Sequence, residues 1–133
     1  MNNKYKLAIV LVALALAILA CGGSFSTANI ASAKLTTDEN GAQETTVFSQ
    51  DQIFYCIVEL ANAPDDTVVK AVWTAVSVQD TDPNLLIDEA ELTSGDGTLT
   101  FNLTNDALWP VGTYKVDLYL NGELERTLEF EVR

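Results

Sequence analysis

Apolar and polar residues alternate with a period of two along most of the chain after residue 44. The clearest alternation lies near the C-terminal end, in two segments separated by Asn121-Gly122. Their apolar positions are Tyr114, Val116, Leu118 and Leu120, then Leu124, Leu128, Phe130 and Val132. Asn-Gly favours a two-residue hairpin because both positions tolerate positive φ. One apolar and one polar face is the pattern of an antiparallel sheet packed against a core.

Turn-forming residues divide this part of the chain into seven predicted strands, and no segment has a convincing helical period. The predicted strands cover residues 45–49, 52–60, 67–78, 85–92, 98–103, 113–120 and 123–132. Strands without helices bury their apolar faces by packing one sheet on another. The sequence therefore predicts an all-β fold, a seven-stranded antiparallel sandwich over residues 45–133.

Three features of these strands resemble immunoglobulin-like and fibronectin III-like domains. Cys56 lies on the second predicted strand, and Trp73 lies on the third, where the family packs a core tryptophan. Residues 112–116 resemble the family's tyrosine corner, with Tyr114 as its tyrosine and Val116 in place of the second core cysteine. We therefore expect Cys56, Trp73 and Val116 to meet in one core cluster without a disulfide.

The N-terminal residues form a separate unit. Two lysines precede an uncharged apolar run, residues 7–20, which ends at Cys21. The run is shorter than the about 20 residues that span a bilayer, and its basic flank is typical of a secretory signal. The order resembles a bacterial lipoprotein signal peptide with its lipobox. The resemblance implies that residues 1–20 are removed, that Cys21 carries lipid, and that the protein is extracytoplasmic, facing the periplasm or the cell surface.

Residues 21–44 are predicted to be a flexible tether between the lipid and the sandwich. They open with Gly22-Gly23-Ser24, and they are rich in Ser, Thr, Ala and Asn with little periodicity. Such composition is typical of linkers. The membrane is thus a predicted partner through the lipid alone.

The chain is acidic, with a net charge of −12, and contains no histidine. This balance argues against nucleic acid, whose phosphates bind Lys and Arg. The absence of histidine removes the Ser-His-Asp arrangement and the usual zinc ligands. We therefore expect no enzyme, no catalytic residues and no cofactor. Without a histidine to lower the pKa of its thiol, Cys56 is expected to behave as a small buried apolar residue.

Two small-ligand sites are alternatives. The acidic loop with Asp80, Asp82, Asn84 and nearby Asp88 has oxygen ligands of the kind that calcium takes, although Asp and Asn are also ordinary turn residues. Trp109, before Pro110, either stacks on a sugar ring or closes one end of the sandwich.

The predicted outward positions include several apolar residues. If Trp73 points inward, then Val68, Val72, Val76 and Val78 point outward, and Tyr119 joins Val72 and Val76, rimmed by Glu125, Glu129 and Glu131. On the other sheet the outward positions are Ile53, Tyr55 and Ile57. Exposed apolar surface with a polar rim is typical of a binding face, unless a loop covers it. Val72, Val76 and Tyr119 are thus a predicted site for an envelope protein, and a structural or accessory subunit is the alternative. No feature sets the oligomeric state.

Overall fold

The computed structural model describes residues 27–133, which form eight strands. The predicted signal peptide and Cys21 lie outside the described residues. The strands are β1 (Asn29–Thr36), β2 (Val47–Phe48), β3 (Phe54–Ala61), β4 (Thr67–Val78), β5 (Leu85–Ser94), β6 (Gly97–Leu103), β7 (Gly112–Leu120) and β8 (Glu123–Val132). No helix within 27–133 is long and apolar enough to cross a membrane.

The strands form two sheets, in the orders β1-β3-β6 and β2-β8-β7-β4-β5. Neighbouring strands are antiparallel, except that β2 runs parallel to β8. The apolar faces of the two sheets form one core. The predicted all-β sandwich is confirmed, with one strand more than the seven predicted.

The additional strand, β1, lies within the segment predicted to be a tether. It pairs with β3 over its whole length, and Ile30 and Leu35 are buried in the core. A β-bulge at Ala31 inserts one residue between the inward positions, which become 30, 33 and 35. Because the bulge breaks the period of two, the sequence pattern does not reveal the strand. The prediction of a tether is therefore wrong for residues 29–36.

The loop after β1 is also organised. The Asp38 carboxylate accepts hydrogen bonds from the amides of Ala42 at 3.0 Å and Gln43 at 2.8 Å, and these bonds hold its pKa below the usual value. Lys34 Nζ donates to the carbonyl of Gly41 at 2.8 Å. A Cβ at Gly41 would lie 3.3 Å from Ile57, so the loop rests on this residue and buries it. The predicted exposure of Ile57 is therefore wrong.

The core contains the three residues that the sequence placed together. Cys56, Trp73 and Val116 are all buried in one cluster, and Trp73 pairs with Val116 across β4 and β7. This prediction is confirmed. Tyr114 Oη donates a hydrogen bond to the carbonyl of Pro110, four residues upstream, in the manner of a tyrosine corner. Burial raises the pKa of the Tyr114 hydroxyl to about 12.

Bulges in the larger sheet shift which residues face outward. The extra residues are Val76 on β4, Ile87 on β5 and Glu125 on β8. Past Val76 the alternation reverses, and Val78, predicted to point outward, is buried. On β8 the bulge at Glu125 turns an apolar residue outward. Leu124, directly before the bulge, shares the predicted inner parity but is 55% exposed. A prediction based on a period of two fails on the far side of a bulge, because one added residue exchanges the two faces.

The buried thiol gives a direct chemical prediction. Burial raises the pKa of Cys56 from 9.0 to about 12, and the reactive form is the thiolate. In a Cys21→Ser background, where Cys56 is the remaining thiol, we expect a disulfide reagent at pH 8 to react only as fast as the protein unfolds, and completely in guanidinium. Because the folded-state pKa is the higher one, stability falls as the pH rises from about 9 toward 12. Rapid reaction of the native protein would contradict the assigned strand register.

Candidate functional site

The solvent-facing side of the five-stranded sheet, called here the outer face, has an aromatic-aliphatic pair. Tyr119 on β7 lies opposite Leu124 on β8 and opposite Lys70 on β4. Lys70 Nζ lies 4.9 Å from the centre of the Tyr119 ring, at the distance of a cation–π contact. Tyr119 is half-buried and Leu124 is exposed. The pair presents apolar surface to solvent in a fixed orientation.

Val72 lies in the next row of the outer face and has polar neighbours. It is half-buried and pairs with Asp117 on β7 and Glu89 on β5. The buried Asp117 carboxylate accepts a hydrogen bond from Thr127 Oγ1 at 2.5 Å and lies 3.3 Å from Lys115 Nζ. The apolar surface predicted to be contiguous is thus interrupted by a satisfied polar network.

The structure brings together some of the predicted partner-binding residues and not others. Tyr119 and Val72 occupy adjacent rows, whereas Val76 lies at the bulge near the end of β4 and is half-buried. Sequence reasoning missed Leu124, which the bulge at Glu125 turns outward. A signal for it exists in the sequence, since Arg126 interrupts the apolar parity at that point. Arg126 is half-buried and donates to the carbonyl of Ile30 on the other sheet.

The predicted acidic rim lies along one side of this surface, on β8. Glu125 is exposed at the bulge, Glu129 lies opposite Lys115, and Glu131 forms an ion pair with Arg133 at 2.5 Å. Glu89 and Glu91 of β5 extend the acidic side beyond β4. The outer face is therefore a small apolar centre in a predominantly acidic surround.

The proposed calcium ligands lie in a turn and a strand. Asp80 and Asn84 have φ values of 58° and 56°, and the Asn84 amide donates to the Val76 carbonyl, which is ordinary turn geometry. Asp82 is exposed between them. Asp88 lies within β5, and its carboxylate accepts from the Glu89 amide at 2.9 Å. Across residues 27–133, no three His, Cys, Asp or Glu side chains are grouped to hold a metal ion. Calcium binding stays a prediction.

Trp109 closes one end of the sandwich. Its side chain is 6% exposed and stacks on Phe54, with ring centroids 4.5 Å apart and planes inclined by 24°. Its indole N–H donates to the carbonyl of Gln52, and its backbone amide and carbonyl bond to Gln50. A sugar ring stacks on an exposed aromatic face, and here that face is covered. The structure therefore contradicts the alternative of a carbohydrate site at Trp109.

Comparison with protein-family models and with curated proteins gives no match for this sequence. Solved structures do match it. An immunoglobulin-like protein from Pseudomonas aeruginosa aligns with a TM-score of 0.53 and 15% identity, over 83% of this chain and 99% of that protein. With the two-sheet topology and the tyrosine corner, this likeness defines the fold as an immunoglobulin-like β-sandwich.

Larger enzymes contain a similar domain as one part. A β-glucosidase from Listeria innocua aligns with a TM-score of 0.51 and 18% identity, and an alkylpurine DNA glycosylase from Pseudomonas fluorescens with 0.54 and 18%. The matches cover 80% and 81% of this chain, but 16% and 31% of those proteins. At this identity the likeness extends to the fold alone.

Proposed function

We propose that this protein is a lipid-anchored, extracytoplasmic module of the bacterial cell envelope that binds a partner protein through the outer face and performs no catalysis. This proposal depends on one observation: exposed Leu124 and half-buried Tyr119 lie opposite each other beside Lys70 and Val72, within an acidic surround. Tyrosines are frequent among the residues that dominate binding energy, and charge around them steers a partner of opposite sign. The partner surface is therefore expected to be basic around an apolar centre.

The anchoring part of the proposal is supported by the residues before the sandwich. A lipid on Cys21 would hold the protein at a membrane through its acyl chains, at about 0.8 kcal/mol for each buried methylene. The first described strand begins eight residues after this cysteine, at Asn29. The sandwich would thus stand close to the bilayer surface, which limits the partners within reach to other envelope proteins.

An accessory role in a larger assembly is the second candidate. In the β-glucosidase from Listeria innocua, a similar domain makes up about one sixth of the chain. A separate subunit with this fold could serve as such an added domain without being covalently joined. The two candidates differ in stoichiometry and lifetime of the complex, since a subunit stays bound through purification.

The test is affinity capture of the full chain from native membranes, with mass spectrometry of what co-purifies. We expect a discrete envelope protein that is lost when Tyr119→Ser and Leu124→Ser are combined. Leu124 is the exposed member of this pair, and Tyr119, like Val72 and Val76, is half-buried. Ile53→Ser, at an exposed apolar position directly before β3, is the matched control and should retain the partner. Equal recovery by the double variant and the control would contradict binding through the outer face.

A Cys21→Ala variant in the same experiment tests the anchor. We expect the variant to move from the membrane to the soluble fraction, because the acyl chains have no remaining attachment site. Unchanged membrane retention would contradict lipidation at Cys21. It would not affect the conclusion about binding through the outer face.

A further inference from the structure

The dipeptide Asn-Gly occurs twice in the chain, at residues 40–41 and 121–122. In this dipeptide asparagine loses its side-chain amide most readily, because glycine has no side chain that would keep its backbone nitrogen away from the asparagine Cγ. The second pair forms the hairpin between β7 and β8, and the first lies in the loop after β1. The structure holds the two pairs differently, so we expect them to differ in reactivity.

The reaction needs no enzyme and consumes only water. Once base has removed its proton, the backbone nitrogen of glycine attacks the asparagine Cγ, the bond from Cγ to Nδ2 breaks, and ammonia leaves. Water then opens the cyclic imide. Opening at Cγ gives aspartate, and opening at the main-chain carbonyl carbon gives an isoaspartyl residue, in which the main chain runs through Cβ and Cγ. The asparagine side chain must therefore be free to turn toward the next backbone nitrogen.

Asn121 is not free to turn. Its Oδ1 accepts a hydrogen bond from the Val68 amide at 2.9 Å, and its own amide donates to the Val68 carbonyl at 2.8 Å. Its φ of 49° is the conformation that the hairpin requires. Reaction at Asn121 therefore requires the end of the hairpin to separate from β4.

Asn40 is exposed, and one long hydrogen bond holds the nitrogen that would attack it. The Gly41 amide donates to the Asp38 carbonyl at 3.2 Å, at the long end of the usual range. The Asp38 carboxylate holds the loop further on, through the amides of Ala42 and Gln43. Opening the one long bond therefore frees the Gly41 nitrogen while the rest of the loop stays in place.

A cation lies beside the attacking nitrogen. Lys34 Nζ donates to the Gly41 carbonyl at 2.8 Å, and a Cβ at Gly41 would lie 3.4 Å from it. A positive charge at this distance stabilises the negative charge that the Gly41 nitrogen carries as it attacks. Asp38 and Glu39 have the opposite charge, but the Asp38 carboxylate is occupied by two amides and Glu39 is exposed. Lys34 is therefore the charge in contact with Gly41.

We propose that Asn40, assisted by the charge of Lys34, is a site of spontaneous deamidation, and that its isoaspartyl product releases the loop from Ile57. A Cβ at Gly41 would lie 3.3 Å from Ile57 Cγ1, so the loop covers this side chain. The isoaspartyl linkage adds one carbon to the main chain directly before Gly41. Because Gly41 is held closely against Lys34 and Ile57, this added length separates it from both. The solvent side of the three-stranded sheet then gains exposed apolar surface.

The site is tested by peptide mapping with mass spectrometry of the full chain, kept in a neutral detergent at pH 8. We expect deamidation at Asn40 to be at least about tenfold faster than at Asn121, where the hairpin must leave β4. In guanidinium the two rates should agree within about threefold, because the fold no longer distinguishes the two dipeptides. Equal rates in the folded chain, or an unreacted Asn40 when the unfolded chain has been converted, would overturn the proposal.

Two variants of Lys34 test its charge. Lys34→Gln keeps a donor for the Gly41 carbonyl without the ammonium, and we expect it to slow deamidation at Asn40 about threefold and to leave Asn121 unchanged. Lys34→Arg keeps the charge and should react at the original rate. An unchanged rate in Lys34→Gln, or an equal loss in both variants, would contradict assistance by the charge.

Release of the loop is tested by backbone amide exchange of the purified isoaspartyl form. We expect faster exchange at the amides of Ala42 and Gln43, which the Asp38 carboxylate holds in the unmodified protein. Asn40→Asp has the added charge without the longer main chain, and as the matched control it should keep both amides protected. Unchanged exchange in the isoaspartyl form, or equal loss of protection in Asn40→Asp, would overturn the release. These results are independent of binding through the outer face, which lies on the other sheet.

Discussion

Replacing Phe54 by alanine is expected to lower the free energy of unfolding by about 3–5 kcal/mol. Phe54 is fully buried, and its ring contacts five other aromatic rings. These rings belong to Phe48, Trp73, Trp109, Tyr114 and Phe130. Four of these rings belong to the five-stranded sheet and Trp109 to the loop before β7, whereas Phe54 itself belongs to the three-stranded sheet. The cavity left by the substitution would therefore lie where the two sheets and the end of the sandwich meet.

This effect is large relative to the total free energy of unfolding of a single domain, which is about 5–15 kcal/mol. Loss of Phe54 would remove a large part of that margin, and guanidinium unfolding followed by tryptophan fluorescence would measure it. Leu124→Ala removes a similar apolar volume from an exposed strand position and should change stability by no more than about 0.5 kcal/mol. Equal effects of the two substitutions would mean that Phe54 is not at the centre of the core.

Much of the fold could be predicted because its strongest elements carry local signals. Asn121 and Gly122 have φ values of 49° and 88° in the structure, as an Asn-Gly hairpin requires. Asn121 also bonds to the backbone of Val68, which fixes the hairpin against β4. Trp73 and Tyr114 were placed through the family resemblance, and their burial confirms it.

The rest could not be predicted because it depends on pairing between distant segments. Strand β1 has a weak pattern of its own and is ordered by the edge of β3, which the sequence does not reveal. The outer face was misjudged at two positions for a related reason. The bulges at Val76 and Glu125 are set by the fit between neighbouring strands, and each reverses the faces beyond it. Of the candidate site, Tyr119 was therefore found from the sequence, whereas Leu124 was missed because the interruption of the parity at Arg126 does not by itself locate a bulge.

Replacing Gly112 by alanine is expected to destabilise the protein by about 3 kcal/mol or more, the combined cost of backbone strain and overpacking. Gly112 begins β7 with a φ of 153°, and it pairs with Val78 at the end of β4. A Cβ there would lie 2.4 Å from the carbonyl oxygen of Ser77 and 2.6 Å from the Cα of Val78. Both contacts are to backbone, so no side-chain rotation relieves them, and the β4–β7 pairing would have to open.

Gly97 provides a control that separates the two causes. It also has a positive φ, 134°, but no atom lies within 4 Å of a Cβ placed there. Gly97→Ala therefore measures backbone strain alone, about 1–3 kcal/mol, whereas Gly112→Ala adds the clash with β4. Thermal unfolding of the two variants would give the difference directly. If Gly97→Ala were as destabilising as Gly112→Ala, the close approach of β4 and β7 at Ser77 would not be what requires glycine. A larger loss of stability for Gly112→Ala than for Gly97→Ala would show that glycine is required at position 112 by the close approach of β4, next to the bulge after Ala75.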